Sequence, residues 1–274
     1  MTHLNEAVVL ITGAGGGFGQ ELTRQLLQAG SRLILTDIDE NVLREKVNTI
    51  SLEITSGEII KCLGANLDTR QGCEALYHQV QTLGMSIDIL INNAGIGLYG
   101  RMDEVPPQEW EQLMQVNLLT PMRLSSLFAA EMISRGKGHI VNISSLAGWF
   151  GQAGMAHYAA SKFGLRGFSE GLNNELKPYN IKVTAVYPFF SRTPILQSKR
   201  YGTLAVGSQD FPEDKATDPA KVMAATIQGI IHNRLHVFPD RTAKIVYILK
   251  RYSPELLALI SDRFAKKIKY GESN

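Results

Sequence analysis

Several short runs in this chain are apolar at every position rather than at alternate ones. Val8-Val9-Leu10-Ile11, Leu33-Ile34-Leu35 and Ile89-Leu90-Ile91 are the clearest. A strand with one wet face alternates polar and apolar residues. A strand covered on both faces does not, and that pattern belongs to a parallel sheet sandwiched by helices. Strands are expected at 7–12, 32–37, 58–63, 88–92, 139–143, 181–187 and 235–238. Helical periods fall between them at about 17–29, 39–54, 69–83, 107–134 and 155–177, then at 218–232, 241–252 and 254–269. Strand–helix–strand repetition predicts an α/β fold: a doubly wound, mostly parallel sheet of Rossmann type, with helices on both faces and right-handed crossovers. No internal repeat or low-complexity linker divides the 274 residues, so a single domain over 1–274 is expected. The segment from about 191 to 215 is rich in Pro, Gly and Ser and reads as a long loop. Together with the helix that follows, 191–232 is expected to act as a substrate lid, and 241–274 as a helical extension.

Composition removes several function classes. No run approaches the ~18 apolar residues needed to span a bilayer. The apolar stretch at 7–11 is too short for a secretion signal and lacks a basic flank. Cys62 and Cys73 are the only cysteines, too few for a disulfide framework or a structural zinc site. A reducing cytoplasmic setting and no metal are therefore expected. The net charge of +2 conceals an asymmetry. Residues 241–274 carry eight Lys/Arg and three Asp/Glu, a net of +5, whereas 1–240 carry a net of −3. The body thus has no basic signature for nucleic acid.

Residues 12–19 read Thr-Gly-Ala-Gly-Gly-Gly-Phe-Gly, after a strand and at the start of a helix. Glycines there permit a tight turn and let backbone N–H groups approach a pyrophosphate. Asp37 ends the second strand, 18 residues past Gly19, where a carboxylate can accept from the adenosine ribose hydroxyls. No Gly-Lys-Ser/Thr follows the loop, which disfavours a Walker phosphate loop. The Asp37 carboxylate would repel a 2′-phosphate. Its neighbours Gly16 and Ile38 are uncharged, and Arg32 lies at the far end of the same strand. NAD(H) is therefore favoured over NADP(H).

Tyr158 and Lys162 stand at i and i+4 in a helical segment, on one face. A free phenol titrates near pH ~10, and a nearby ammonium favours phenolate. Such a pair is suited to proton transfer. By itself Tyr-x-x-x-Lys is common and often marks only a solvated helix face. Here Ser145 precedes it by 13 residues, at the end of a strand, and Asn92-Asn93-Ala94-Gly95 ends another. In open α/β sheets, chemistry gathers at those strand ends.

Taken together, the chain looks like a classical member of the short-chain dehydrogenase/reductase family. The resemblance runs from about residue 5 to 194 and rests on the Thr-Gly-x-x-x-Gly-x-Gly loop, Asn92-Asn93-Ala94-Gly95, Asn117, Ser145, Tyr158-x-x-x-Lys162 and Pro188…Thr193. It implies an oxidoreductase in which Tyr158 moves the proton at the substrate oxygen and Ser145 holds that oxygen. Lys162 would lower the tyrosine pKa and bind the nicotinamide ribose, and Asn117 would hold a relay water. The nucleotide would lie along Gly13, Gly17, Phe18, Gly19, Asp37, Asn66, Leu67, Asn93, Ala94 and Gly95. Tyr158, Lys162, Pro188, Ser191 and Thr193 would complete its nicotinamide end. Two positions depart from the family pattern: Asn66 stands where Asp is usual, and Phe189 where Gly usually follows the proline. An amide can still accept from the adenine amino group. Phe189 adds bulk beside the nicotinamide.

The stretches that flank the substrate in this family are apolar here: Ile96, Leu98, Leu146, Met155 and, above all, Trp149, Phe150, Phe189 and Phe190. With Ser145 and Tyr158 they suggest a lipophilic secondary alcohol or ketone. The runner-up from another class is a nucleotide-sensing protein without turnover, which the complete Asn-Ser-Tyr-Lys set opposes. The resemblance also implies a homodimer or homotetramer. In the last helix Leu257, Ile260, Phe264 and Ile268 draw an apolar stripe, with Arg263, Lys266, Lys267 and Lys269 off it. The stripe is expected to pack on the body or a subunit interface, or else to rest on an anionic membrane surface.

Overall fold

The computed structural model describes residues 1–206 and 215–259. Its strands are β1 (Val8–Thr12), β2 (Arg32–Asp37), β3 (Glu58–Gly64), β4 (Ile89–Asn92), β5 (Leu98–Gly100), β6 (Gly138–Ile143), β7 (Ile181–Val186), β8 (Lys199–Tyr201) and β9 (His236–Val237). Seven of them form one parallel sheet in the order β3-β2-β1-β4-β6-β7-β9. These are the seven strands expected from the sequence. The helices are α1 (Gly17–Gln28), α2 (Glu40–Glu53), α3 (Arg70–Gln81), α4 (Pro107–Met114), α5 (Thr120–Arg135), α6 (Ala156–Leu176), α7 (Pro219–Ile231) and α8 (Arg241–Tyr252).

The apolar runs behave as their lack of alternation implied. Val9, Ile11, Leu33 and Leu35 face a layer that includes Leu22, Leu26, Leu43, Val47 and Ile227. Val8, Leu10, Ile34 and Leu90 face the opposite layer, with Leu76, Val80, Leu124, Phe128 and Leu172. Each strand thus buries both of its faces, and the sheet is the middle of three layers. The chain runs outward through β2 and β3, then returns to β4 on the other flank of β1. That reversal opens a crevice beyond the carboxyl ends of β1 and β4, where a ligand site is expected.

Two features were not read from the pattern. The expected helix over 107–134 is broken by a π turn at Gln115–Leu119. Pro121 accounts for part of this, because it has no N–H to donate to the carbonyl four residues back, that of Asn117. In addition, β5 and β8 pair in a separate small parallel sheet, which ties the loop after β4 to residues 199–201. The start of the segment expected to act as a lid is thus tied to β5. Of the C-terminal stripe, Leu257 is buried. Ile260, Phe264 and Ile268 lie outside the described residues. Among the described residues no helix is long and apolar enough to cross a membrane, and no cluster of His, Cys, Asp or Glu is arranged to hold a metal.

Candidate active site

The glycine loop joins β1 to α1. Gly13 has φ +64, and a Cβ there would lie 2.8 Å from the Cα of Ala94. A Cβ on Gly19 would lie 2.2 Å from the Gly13 carbonyl oxygen, and one on Gly17 would lie 2.7 Å from Thr193 Cγ2. These three positions therefore exclude any side chain, each for a different contact. Phe18 packs its ring against the core on that side of the sheet. Helix α1 opens on Gly16 with no side-chain cap and no acid in its first turn. Its amides are left facing the crevice, the arrangement that suits a phosphate. Asp37, at the end of β2, accepts from the Gly15 amide at 2.8 Å and from its neighbour Ile38 at 2.8 Å.

Thr12, which the reading of the motif passed over, organises the next strand end. Its hydroxyl accepts from the amides of Asn93 and Ala94, each at 3.0 Å. Asn93 returns two bonds of 2.9 Å to the carbonyls of Thr12 and Gly13. The loops after β1 and β4 are thereby locked together. The next turn is pinned as well: the Asn66 side chain accepts from the Asp68 amide at 3.2 Å, and the Leu67 carbonyl accepts from the Thr120 hydroxyl.

On the other side of the crevice, β6 ends in Ser144-Ser145 and α6 carries Tyr158 and Lys162. Both α6 side chains are buried. The Lys162 Nζ donates to the Ile143 carbonyl at 3.1 Å and lies 5.6 Å from the Tyr158 ring centroid. Burial pushes the ammonium down to about 8. Burial likewise pushes the Tyr158 phenol up to about 12, against a lowering pull from a hydrogen bond with Ser145. In the protein alone desolvation thus outweighs the stabilisation of phenolate expected from the lysine. Asn117, fully buried in the π turn, clamps Ile96: its Oδ1 accepts from the Ile96 amide and its Nδ2 donates to the Ile96 carbonyl, both at 2.9 Å. Gly95 lies between the two polar groups. A Cβ on it would be 3.3 Å from Asn117 Oδ1 and 3.7 Å from Lys162 Nζ. The four residues expected to share the chemistry are therefore gathered around one strand end and one loop.

Tyr158 sits in an apolar cluster with Leu98, Val105 and Leu113, bordered by Ile96, Trp110, Met155 and Tyr201. Trp149 is turned elsewhere. It packs with Tyr187, His236, Phe238 and Tyr247, and Arg166 lies 3.3 Å over its ring. No local sequence pattern marks that grouping, which joins residues from five separate stretches of the chain. The loop after β7 is built by further contacts of long range. The Pro188 carbonyl accepts from the Leu146 amide at 2.9 Å, and the Phe189 amide donates to Asp240 Oδ2 at 2.9 Å. Phe189 and Phe190 meet edge to face, 5.0 Å between centroids. The Ser191 hydroxyl is 2.7 Å from that of Thr217, while Thr193 rests its methyl near Gly17. Phe150 donates its amide to Leu146 at 3.1 Å and is half-buried.

The chain matches the short chain dehydrogenase family over residues 7–203. Among curated relatives, an acetoacetyl-CoA reductase from Acinetobacter is 31% identical over 232 residues, 85% of this chain and 93% of the relative. Two solved structures are also similar. One is a bulky-bulky ketone specific alcohol dehydrogenase from Comamonas testosteroni, at 27% identity and TM-score 0.75, covering 93% of this chain and 94% of the other. The second is a short-chain dehydrogenase from Sphingobium yanoikuyae in complex with NADPH, at 26% identity and TM-score 0.76, covering 98% of each chain. With a Rossmann-type sheet, a glycine-rich loop and a buried Tyr-Lys pair beside Ser145 at one crevice, this chain is an oxidoreductase of the short-chain dehydrogenase/reductase family.

Proposed function

We propose that the protein transfers a hydride between NAD(H) and a lipophilic secondary alcohol or ketone. The observation that carries this reading is the placement of buried Tyr158, with Ser145 beside it, inside an apolar cluster next to the glycine loop. The nicotinamide ring, when bound, supplies or accepts the hydride. The chain's own residues handle the oxygen. Ser145 Oγ hydrogen-bonds the carbonyl oxygen and polarises it. Tyr158 Oη donates its proton to that oxygen during reduction and takes it back during oxidation. A phenol held at about 12 is protonated at neutral pH, which suits it to act as the acid. Lys162 binds the nicotinamide ribose and stabilises the phenolate once the proton has left. Asn117 holds the relay water toward Lys162. Gly13, Gly17, Phe18 and Gly19 receive the pyrophosphate, and Asp37 the adenosine ribose. Asn66, Leu67, Asn93, Ala94 and Gly95 line the adenosine side, while Pro188, Ser191 and Thr193 hold the carboxamide.

Apolar and aromatic walls favour a substrate with little charge near its carbonyl, and the Comamonas relative acts on bulky ketones by its name. Residues 191–232 form the lid of that site, with Phe150, Phe189 and Phe190 nearest the substrate and Trp149 supporting the loop behind them. The protein works in the cytoplasm as a homodimer or homotetramer. Its basic C-terminal segment, which from residue 260 onward lies outside the described residues, rests on the protein or on an anionic membrane surface. The test is a screen of lipophilic alcohols and ketones with NADH and NADPH in parallel, on the wild type and on Tyr158→Phe. NADH is expected to bind at least about tenfold more tightly than NADPH, ~1.4 kcal/mol. Preference for NADPH, or turnover that survives in Tyr158→Phe, rejects the reading.

A further inference from the structure

Asp37 does not border the adenosine end alone. Its Oδ2 accepts from the Gly15 amide at 2.8 Å, and the carbonyl of the same glycine accepts from Lys46 Nζ at 3.0 Å. Lys46 comes from α2, nine residues beyond Asp37. A Cβ placed on Gly15 would lie 3.0 Å from Asp37 Oδ2 and 3.6 Å from Lys46 Cδ. The bare face of Gly15 is therefore a small niche with a carboxylate on one wall and a lysine on the other.

The other charged groups nearby are already engaged. Glu40 is held by Arg44 and by the Gly64 amide. Asp39 caps α2 through the amides of Asn41 and Val42. Lys46 forms no ion pair among the described residues. Its ammonium donates to a neutral carbonyl, and its side chain is exposed. A lysine ammonium on a flexible stem can leave such a bond for a phosphate at little cost. Two chemistries therefore meet over Gly15. The carboxylate accepts from ribose hydroxyls and repels a 2′-phosphate, while the ammonium would attract one.

We infer that Lys46 is a specificity-determining residue, the counter-charge that lets a pocket bearing Asp37 admit NADP(H) as a second cofactor. This rests on the reading that a dinucleotide binds at the glycine loop with its adenosine ribose at Asp37. Local sequence around Asp37 gives no hint of such a cation, because it arrives from the second turn of the next helix.

The experiment is fluorescence titration of NADH and NADPH, with 5′-AMP and 2′,5′-ADP as competitors. The proteins are the wild type, Lys46→Met, Lys46→Arg and Asp37→Asn. Lys46→Met keeps the stem and removes the charge. It should raise the NADPH-to-NADH ratio of Kd values by about tenfold, the scale of one charge-assisted contact. The 2′,5′-ADP-to-AMP ratio should move with it, and Lys46→Arg should restore both. Asp37→Asn should move the ratio the other way. Parallel weakening of both nucleotides in Lys46→Met makes the lysine a mere prop for the loop and overturns the inference, as does an unchanged ratio. A wild type that binds neither nucleotide, or an Asp37→Asn variant whose ratio does not move, instead removes the reading on which the inference rests.

Discussion

The two flanks of the crevice are built by different means. On the nucleotide side, β1, β2 and the glycine loop are joined by main-chain geometry: three glycines that admit no side chain, and Thr12 and Asn93 bonding to backbone atoms at 2.9–3.0 Å. On the substrate side, the work is done by side chains brought from far apart. Trp149 meets Tyr247, Phe189 meets Asp240, and the His157 Nε2 lies 3.0 Å from the Leu98 carbonyl. The nucleotide presents the same phosphates and riboses whatever the reaction, so a rigid backbone cradle suits it. Substrates differ, and a wall assembled from exchangeable side chains can change without disturbing the cradle.

The sharpest way to separate the flanks is at Tyr158. Tyr158→Phe keeps the ring in its apolar cluster and removes the proton donor. Its kcat should fall by roughly 10²–10⁴, the usual worth of general acid catalysis, with NADH affinity intact. Lys162→Met should damage both, because that side chain borders both flanks. Single-turnover rates and nucleotide titration read the two effects apart. A Tyr158→Phe protein that also loses NADH would show that the flanks are not independent.

Acid should distinguish them next. Histidines 139, 157 and 236 lie in β6, α6 and β9, in the half of the chain that carries the Ser145–Tyr158–Lys162 flank, and burial lowers the pKa of each. His139, in β6, is the extreme case. Its ring nitrogens lie 2.9 Å from the Thr2 hydroxyl and 2.8 Å from that of Thr184, and its pKa is pushed down to about 3. The folded protein keeps this ring neutral, whereas the unfolded chain takes up a proton near pH ~6.5. Below that pH the unfolded state binds more protons, so stability falls as pH drops from about 6.5 toward 3. By pH 5 the loss from His139 alone should be about 2 kcal/mol. Urea unfolding at pH 7 and pH 5, on wild type and His139→Gln, measures it. An equal acid loss in the variant would discard the assignment.

The same contrast explains what could be read in the sequence. The strands were legible because burial on both faces leaves no alternation. The glycine loop, Asp37, Ser145 and the Tyr158–Lys162 pair were legible because each is a short motif tied to one strand end or one helix face. The π turn at Asn117 was not, although Pro121 is its local sign. Leu98–Gly100 carries no strand pattern of its own, since its partner lies about a hundred residues further on. Trp149 stands in a stretch expected, from its sequence neighbours, to flank the substrate. Its neighbours in space, Tyr187, His236, Phe238 and Tyr247, lie just past β7, in and just past β9, and in α8, which only the tertiary fold brings near. Local motifs report the glycine loop and the Ser145–Tyr158–Lys162 group, and long-range packing hides the aromatic grouping around Trp149.

Asp240 offers the finest test, because one carboxylate there serves two elements. Its Oδ1 caps α8 by accepting from the Ala243 amide at 2.8 Å, and its Oδ2 holds the Phe189 amide at 2.9 Å. Asp240→Ala removes both bonds. Loss of the cap should cost about 1 kcal/mol, which for a protein of this size lowers Tm by roughly 2–4 °C. Release of Phe189 should in addition raise KM for a reducible ketone several-fold, since the proposed function places Phe189 beside the substrate. Asp240→Asn keeps one acceptor oxygen and can satisfy one of the two amides. If it recovers Tm but not KM, the oxygen has gone to the helix, and if it recovers KM but not Tm, to the loop. NADH affinity should change less than KM in both variants. A Kd for NADH that weakens in step with KM would mean that the loop after β7 transmits between the flanks, and their separation would fail at that point.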